Sequence, residues 1–308
     1  MSSVSPLRKY VLMNLRAMID DSYWSMLAAA HLPGEQYTEP VGDPGLFGPG
    51  SAIWYVHGDV SGVLGGVSGL LLGTLNEPVT HGTNQHSNYL QDPIRRLGFT
   101  ASFVNGMTYG STPVAEKLAG TVRAMHKRVQ GTMPDGRPYS ATSSADIIWT
   151  GVTQAAQAAR AHLRYHPKPL DAKGIDEYLS QYAVFSEMLG ATDVPKSRAD
   201  VDDYFAMMRP RLTVSEETLQ AVEFLRSPTG KDRASQVSTQ IITRVATDLL
   251  PGWAKRLLGL RPGTPLTPLA ARTAGHALTR TLRYGVHQRC AEQAHQRVGA
   301  AFTPPGAL

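Results

Sequence analysis

Cysteine is almost absent from the sequence, because Cys290 is the only one among 308 residues. A single cysteine excludes an internal disulfide and any metal site built from several thiolates, and this usage predicts a cytoplasmic protein. Long hydrophobic runs are also scarce. The longest, residues 63–75, contains four glycines and is shorter than a bilayer-spanning helix, so we expect a buried helix there and no transmembrane segment.

Signals for secretion and for nucleic-acid binding are missing as well. The N-terminal residues show neither an uninterrupted apolar segment nor a small-residue cleavage site. The formal net charge is +5, but the basic residues are scattered and form no nucleic-acid-binding motif. We therefore predict no nucleic-acid partner and an ordinary solvated surface, with peripheral contact to an anionic membrane as the alternative.

Alternation of β-branched residues is nearly absent, whereas helical periodicity recurs along the chain. Hydrophobic residues make up 42% of the chain and charged residues 18%, which is typical of a globular protein. The sequence predicts an all-α protein, a single globular domain of about eight to twelve helices. The predicted helices are 60–76, 92–109, 113–130, 145–163, 174–189, 199–208, 215–226, 234–249 and one long helix at 268–299.

Segments rich in glycine and proline divide the chain. Residues 1–30 are predicted to form an N-terminal helical arm, joined to the rest by a loop over residues 31–50. The main body is predicted to span residues 31–255, with a turn-rich loop at 131–139. Residues 256–308 are predicted to add a C-terminal long helix and a tail to the same domain.

The predicted helix 113–130 carries the most informative histidine. Its apolar residues recur at helical spacing, and His126 lies at the edge of the stripe they form, beside Val122 and Val129. A neutral imidazole on a rigid helix with aliphatic neighbours is what an axial haem ligand requires. The alternative is a boundary histidine satisfied by one hydrogen bond. The apolar stripe consists of Val114, Leu118, Val122, Met125 and Val129.

Other residues that sometimes carry chemistry have simpler interpretations. His162 and His166 share a helix face, but no glutamate follows the first one and Pro167 ends the helix, so we predict no metalloprotease site. The neighbours of Cys290 are polar, which argues against a thiolate haem ligand. A solvated basic face of the last helix accounts for His276, His287, His295, Arg283, Arg289 and Arg297.

Three stretches of the sequence together match a known family. The first is GPGSAIWYVHGD at residues 48–59, followed by the apolar helix. The second is His86-Ser87, followed by DPIRRL at 92–97 and by Thr100. The third is VRAMHKRVQG at 122–131, followed by PDGRPYSA. The chain resembles the MpaB-type and rubber-oxygenase catalytic domains, which include the latex-clearing proteins.

The resemblance covers roughly residues 40–255 and implies an all-helical fold, haem b and oxidative chemistry with dioxygen. Residues 31–255 would then be the haem-binding catalytic core, with the helices arranged around a haem pocket. His126 matches the family's proximal haem histidine, which makes it the implied iron ligand.

Arg96 and Thr100 match the distal Arg-x-x-Lys-Thr signature of the latex-clearing branch. Arg96 is then expected to hold a haem propionate or a bound oxygen species, the alternative being a helix-surface ion pair. Thr100 is expected to donate a hydrogen bond to a distal ligand, the alternative being a bond back to its own helix.

The sequence departs from that branch at Phe99, where the branch has a lysine that closes the distal iron site. Because phenylalanine cannot ligate iron, an open or water-held sixth position and a more apolar pocket are expected. The branch's acidic distal residue has no match, so we expect a substrate smaller than polyisoprene. His86, at a recurring family position, and His81 either line the pocket or serve as loop and capping residues. Expected haem contacts also include Val122, Val129 and Trp149.

The resemblance favours a haem-dependent oxygenase or oxidase that uses dioxygen on a small apolar or secondary-metabolite substrate, with an electron donor as a further partner. One alternative keeps the haem but uses peroxide or performs a rearrangement without net oxidation. Another is a non-catalytic haem-binding or lipid-binding protein whose basic surface rests on anionic membranes.

Overall fold

The computed structural model describes residues 14, 16–21, 23–24, 37–87, 91, 93–227, 233–260 and 266–304. Between residues 52 and 297, the described parts of the chain form thirteen α-helices, joined by turns and one hairpin. The helices are α1 (Ala52–His57), α2 (Ser61–Gly73), α3 (Glu77–His86), α4 (Pro93–Tyr109), α5 (Thr112–His126), α6 (Ser144–Tyr165), α7 (Ala172–Met188), α8 (Arg198–Met208), α9 (Glu216–Arg226), α10 (Arg233–Leu249), α11 (Gly252–Leu257), α12 (Leu266–Gly285) and α13 (Arg289–Arg297). The hairpin pairs β1 (Gln130–Thr132) with β2 (Pro138–Ser140) in antiparallel register.

Polar side chains fix the starts of many helices. Ser51 caps α1, Asn76 caps α3, Ser143 caps α6 and Asp171 caps α7, each accepting a hydrogen bond from a backbone N–H of the first turn. Ser197 begins α8 with a reciprocal capping box. Such caps satisfy backbone donors that a helix start leaves without partners.

Helices α2 and α6 form the centre of the structure and approach each other closely. A Cβ atom placed on Gly65 would lie 2.6 Å from the Cα atom of Ala158, so only glycine permits this contact. Trp149 of α6 is fully buried, and its indole N–H donates to the carbonyl oxygen of Gly73 at 2.9 Å. The main apolar core continues through α1, α4, α5 and α7 to α13, where Ala291 and Ala294 belong to it.

The C-terminal part of the chain is bound to that core by a buried arginine. Arg297, only 1% exposed, donates hydrogen bonds to the carbonyl oxygens of Tyr37, Asp43, Tyr109 and Gly110. Burial lowers the pKa of this guanidinium. The prediction that Arg297 lies on a solvated basic face is therefore wrong.

The all-α prediction is confirmed, and most predicted helices agree closely with the observed ones. Four local predictions are wrong. The segment with His81 and His86, interpreted as a loop, is helix α3. The turn-rich loop at 131–139 is mostly the β1–β2 hairpin. The long C-terminal helix is divided into α12 and α13, and the short helices α1 and α11 were not predicted.

The end of helix α5 was also predicted incorrectly. It ends at His126, four residues earlier than predicted, and Val129 lies in the turn that leads to β1. Met125, placed on the apolar face by its spacing, is 49% exposed. The predicted arm over 1–30 lies mostly outside the described residues, of which 16–21 are helical. No helix in the described part of the chain is long and apolar enough to cross a membrane.

Candidate active site

His126 is the last residue of α5, and its imidazole is half-buried. Its Nδ1 atom is buried and has no hydrogen-bond partner within the described structure. Desolvation lowers the pKa of His126, and the nearby positive charge of Arg96 lowers it further. The imidazole is therefore neutral at neutral pH, which is the form that ligates a metal.

Arg96 lies on the first half of α4 and bonds to a residue one turn later. Its Nη1 atom donates to Thr100 Oγ1 at 2.6 Å, and Thr100 Oγ1 donates back to the Arg96 carbonyl oxygen at 3.3 Å. The Arg96 side chain reaches solvent, yet surrounding protein atoms desolvate it enough to lower its pKa.

The two interpretations of this pair now differ in support. Within the described ranges no carboxylate forms an ion pair with Arg96. The bond of Thr100 back to its own helix is present. Phe99 lies between Arg96 and Thr100 in the sequence and is half-buried. The guanidinium of Arg95 lies 5.5 Å from the Phe99 ring centroid. Among the described residues, a cation without a carboxylate partner therefore lies within electrostatic reach of a neutral imidazole.

A second group of polar residues adjoins the turn after His126. Tyr139 of β2 is nearly buried, and its ring packs edge-on against His81 with centroids 5.2 Å apart. Its hydroxyl lies 3.0 Å from His86 Nε2. A Cβ atom placed on Gly82 would lie 3.3 Å from the Tyr139 ring and 3.8 Å from Val129 Cγ1, so α3, β2 and the α5 turn meet here.

His81 is held by a carboxylate from a distant helix. Its Nδ1 atom lies 3.0 Å from both carboxylate oxygens of Glu217, at the start of α9. An ionised carboxylate only accepts, so Nδ1 carries a proton, and in the neutral tautomer Nε2 is the acceptor. The interpretation of His81 as a loop or capping residue is wrong, because it is a buried residue inside α3. Sequence spacing gave no signal for a partner 136 positions away.

The remaining predicted haem contacts are placed differently from one another. Val122 is half-buried on α5, and Val129 is half-buried in the following turn. Trp149 packs inside the core against Phe205 and Tyr204 and bonds to Gly73, so its expected haem contact stays a prediction without a supporting contact.

Histidines outside this region are held by protein contacts, although His162 Nδ1 and His166 Nε2, like His126 Nδ1, are buried without a hydrogen-bond partner in the described structure. His57 bonds to Thr108 Oγ1 at 2.8 Å and to Tyr178 Oη at 3.2 Å, and burial lowers its pKa to about 3. His162 accepts from the Leu170 N–H at 3.0 Å, and desolvation lowers its pKa to about 4. These histidines are neutral structural residues.

The predicted basic face of the last helix is also wrong for other members. His295 stacks on Trp54 with ring centroids 4.9 Å apart, and Arg283 forms a buried two-point ion pair with Asp59. Among the described residues no three His, Cys, Asp or Glu side chains converge as a metal site.

The fold is thus all-α, and it brings Arg96 of α4 within electrostatic reach of His126 at the end of α5. The family model described as "ER-bound oxygenase mpaB/B'/Rubber oxygenase, catalytic domain" matches residues 54–284, a range that contains both groups described above. The chain belongs to this family of oxygenase catalytic domains, and the resemblance predicted from the sequence is confirmed. Searches of curated proteins and of solved structures returned no match.

Proposed function

We propose that this protein is a haem-b-dependent oxygenase or oxidase that uses dioxygen on a small apolar substrate. Its membership of an oxygenase family supports the reaction class. The observation that carries the haem assignment is the His126 imidazole, neutral and with a buried, unpartnered Nδ1 atom, beside the cationic Arg96.

The residues present fit an iron porphyrin. A buried ring nitrogen without a partner costs about 1–3 kcal/mol, a cost that proteins retain mainly at sites with a role. Iron takes a neutral imidazole as ligand, and the anionic propionates of haem take a guanidinium. Val122 and Val129, four residues before and three residues after His126, are half-buried and would supply apolar contact to the macrocycle.

When bound, haem b supplies the iron at which dioxygen is reduced and the substrate oxidised. The chain's own residues then have separable roles in our proposal. His126 would ligate and orient the group, and Arg96 would neutralise a propionate while Thr100 Oγ1 holds its guanidinium in place. Half-buried Phe99, which cannot ligate a metal, would keep the neighbouring space apolar, which favours a small apolar substrate.

The His81–Glu217 pair is proposed to handle protons. Glu217 fixes the His81 proton on Nδ1, so the free Nε2 lone pair is available as a base. Tyr139 and His86, joined at 3.0 Å, supply a second exchangeable proton on the same side of the α5 turn. We further propose a cytoplasmic location and an external electron donor.

One ultraviolet–visible titration with hemin tests the proposal. The wild-type protein is expected to develop a Soret band at one hemin per chain, and His126→Ala is expected to lose it, because no other ligand replaces the imidazole. His276→Ala, at an exposed histidine of α12, is the matched control and should titrate like wild type.

An unchanged titration in His126→Ala would contradict the ligand assignment. Oxygen consumption by the ferrous protein, compared with turnover in peroxide alone, separates the proposed chemistry from a peroxide-driven or non-oxidative reaction. A protein that binds hemin but consumes no oxygen with any apolar alkene or C–H substrate would instead be a haem-binding protein.

A further inference from the structure

Carboxylates are distributed very unevenly along this chain. Residues 249–291 contain seven Lys and Arg side chains and no Asp or Glu, although the chain has 25 acidic residues in total. Residues 1–19 also lack acidic side chains. The cations are scattered in sequence, but the absence of carboxylates makes the C-terminal segment strongly basic.

Helix α12 presents one solvent-exposed face from this segment. At about 100° per residue the exposed residues fall within one face of the helix, while Gly275 and Thr279 face the protein interior. Leu269 is 62% exposed and Tyr284 is 38% exposed, so this face presents large apolar side chains together with arginines. The α12 face consists of Leu269, Arg272, His276, Arg280 and Tyr284.

A groove continues the α12 face toward the N-terminal helical residues. It has a volume of about 420 Å³ and is lined by Ile19, Arg280, Thr281 and Tyr284. The guanidinium of Arg16 lies 4.3 Å from the Tyr284 ring centroid, so two cations flank a partly apolar floor.

The cations on this face differ in their pairing. Arg272 lies 3.5 Å from a carboxylate oxygen of Asp248, whereas Arg280 has no ion-pair partner among the described residues. An exposed arginine without a carboxylate, on the same helix face as the exposed side chains of Tyr284 and Leu269, matches an anionic surface with an apolar layer beneath it. An acidic protein partner matches the charge but gives no reason for Leu269 and Tyr284 to be exposed together.

We infer that the α12 face and its groove dock on an anionic membrane surface, with lipid phosphates at Arg280 and Arg16 and with Leu269 and Tyr284 in the interfacial layer. The contact is peripheral and reversible, because few apolar side chains take part. It would place the protein where small apolar substrates accumulate. The inference does not depend on haem binding.

Vesicle co-sedimentation of the full-length protein tests this inference. Vesicles containing phosphatidylglycerol are expected to bind the protein and pure phosphatidylcholine vesicles are not, with binding reduced as salt rises. Arg280→Glu is expected to weaken binding roughly tenfold or more, since each charge near an anionic surface matters several-fold. Leu269→Ser is expected to weaken it less. Lys173→Glu, the same charge change on exposed α7, is the control.

Each other outcome overturns the inference. Equal loss in Arg280→Glu and Lys173→Glu would show that only net charge matters. Full competition by soluble glycerol phosphate would indicate a phosphate pocket instead of a membrane surface. Absence of vesicle binding, together with a dimer that Arg280→Glu dissociates in sedimentation velocity, would assign the face to a second copy of this chain.

Discussion

The two halves of helix α4 differ in exposure and in whether their polar groups have partners. The first half carries Arg96 and Leu97 at the surface, and the Arg96 guanidinium has no anionic partner within the described structure. The second half ends in Met107, Thr108 and Tyr109, all buried and with their polar atoms bonded. The first half therefore keeps its polar groups available for a ligand, and the second half holds the helix in place.

The largest expected effect is a loss of unfolding free energy at acid pH. It comes from two buried histidines that must stay neutral, one of which bonds to the buried half of α4. His57, bonded to Thr108, has a pKa lowered to about 3, and His162 has one lowered to about 4. The unfolded chain binds protons near pH 6.5, so the folded state is favoured above that pH and loses stability as pH falls toward the lowered values. We expect each histidine to cost about 2 kcal/mol of unfolding free energy between pH 7 and pH 5, or about 4 kcal/mol together.

Urea denaturation at the two pH values measures this loss. His57→Gln keeps hydrogen-bonding capacity without titrating, so it should remove about half of the pH-dependent loss. The exposed His276→Gln should leave it unchanged. Equal unfolding free energies at pH 7 and pH 5 would show that these imidazoles are not buried as described.

A pair of truncations compares the two halves directly. Met107→Ala removes a fully buried side chain and should cost about 3 kcal/mol through lost burial and the cavity left behind. Leu97→Ala, at a position 38% exposed on the same helix, should cost less than about 1 kcal/mol. Thermal and urea unfolding measure both values. Similar costs for the two variants would erase the distinction between the halves.

The last comparison concerns the exposed half of α4, and the expected effect is a change in hemin affinity. In the proposed complex, Arg96→Gln removes a charge-assisted hydrogen bond to a haem propionate. This should weaken hemin binding by about 2 kcal/mol, or roughly thirtyfold. Unfolding free energy without hemin should change by less than about 0.5 kcal/mol, because Arg96 is exposed and its side-chain hydrogen bond goes to Thr100 on the same helix.

Lys117→Gln, at an exposed residue of α5, serves as the matched loss of charge and should leave hemin affinity unchanged. A large loss of unfolding free energy in Arg96→Gln, with hemin affinity unaltered, would assign this residue to the structure and not to the cofactor.

The same contrast explains how far the sequence predicts the fold. Helices with apolar periodicity or a strong cap, such as α4 and α6, were predicted within a few residues. Helix α3 was missed because its buried residues are Thr80, His81 and Gly82, which produce no apolar stripe. The break between α12 and α13 follows Gly285, where an added Cβ atom would lie 2.5 Å from Ile19, a close approach that local sequence cannot show.

The candidate site was predictable only in part for related reasons. His126, Arg96 and Thr100 lie in short motifs, and the four-residue spacing of Arg96 and Thr100 on one helix predicts that they meet. Glu217 holds His81 from a helix far along the chain, so no motif connects them. The apolar spacing continues to Val129, past the residue at which α5 ends. Met125, in the last turn of α5, follows the same spacing but is exposed.

Arg297 has a consequence for how the molecule is divided. The residue lies beyond the matched range 54–284, yet four carbonyl groups from the loops around α1 and α4 depend on its guanidinium. A fragment trimmed to the matched range would lose Tyr37 and Asp43 and would leave the carbonyl groups of Tyr109 and Gly110 without the donor that Arg297 supplies. Synthesis must likewise reach Arg297 before these carbonyl groups can be bound.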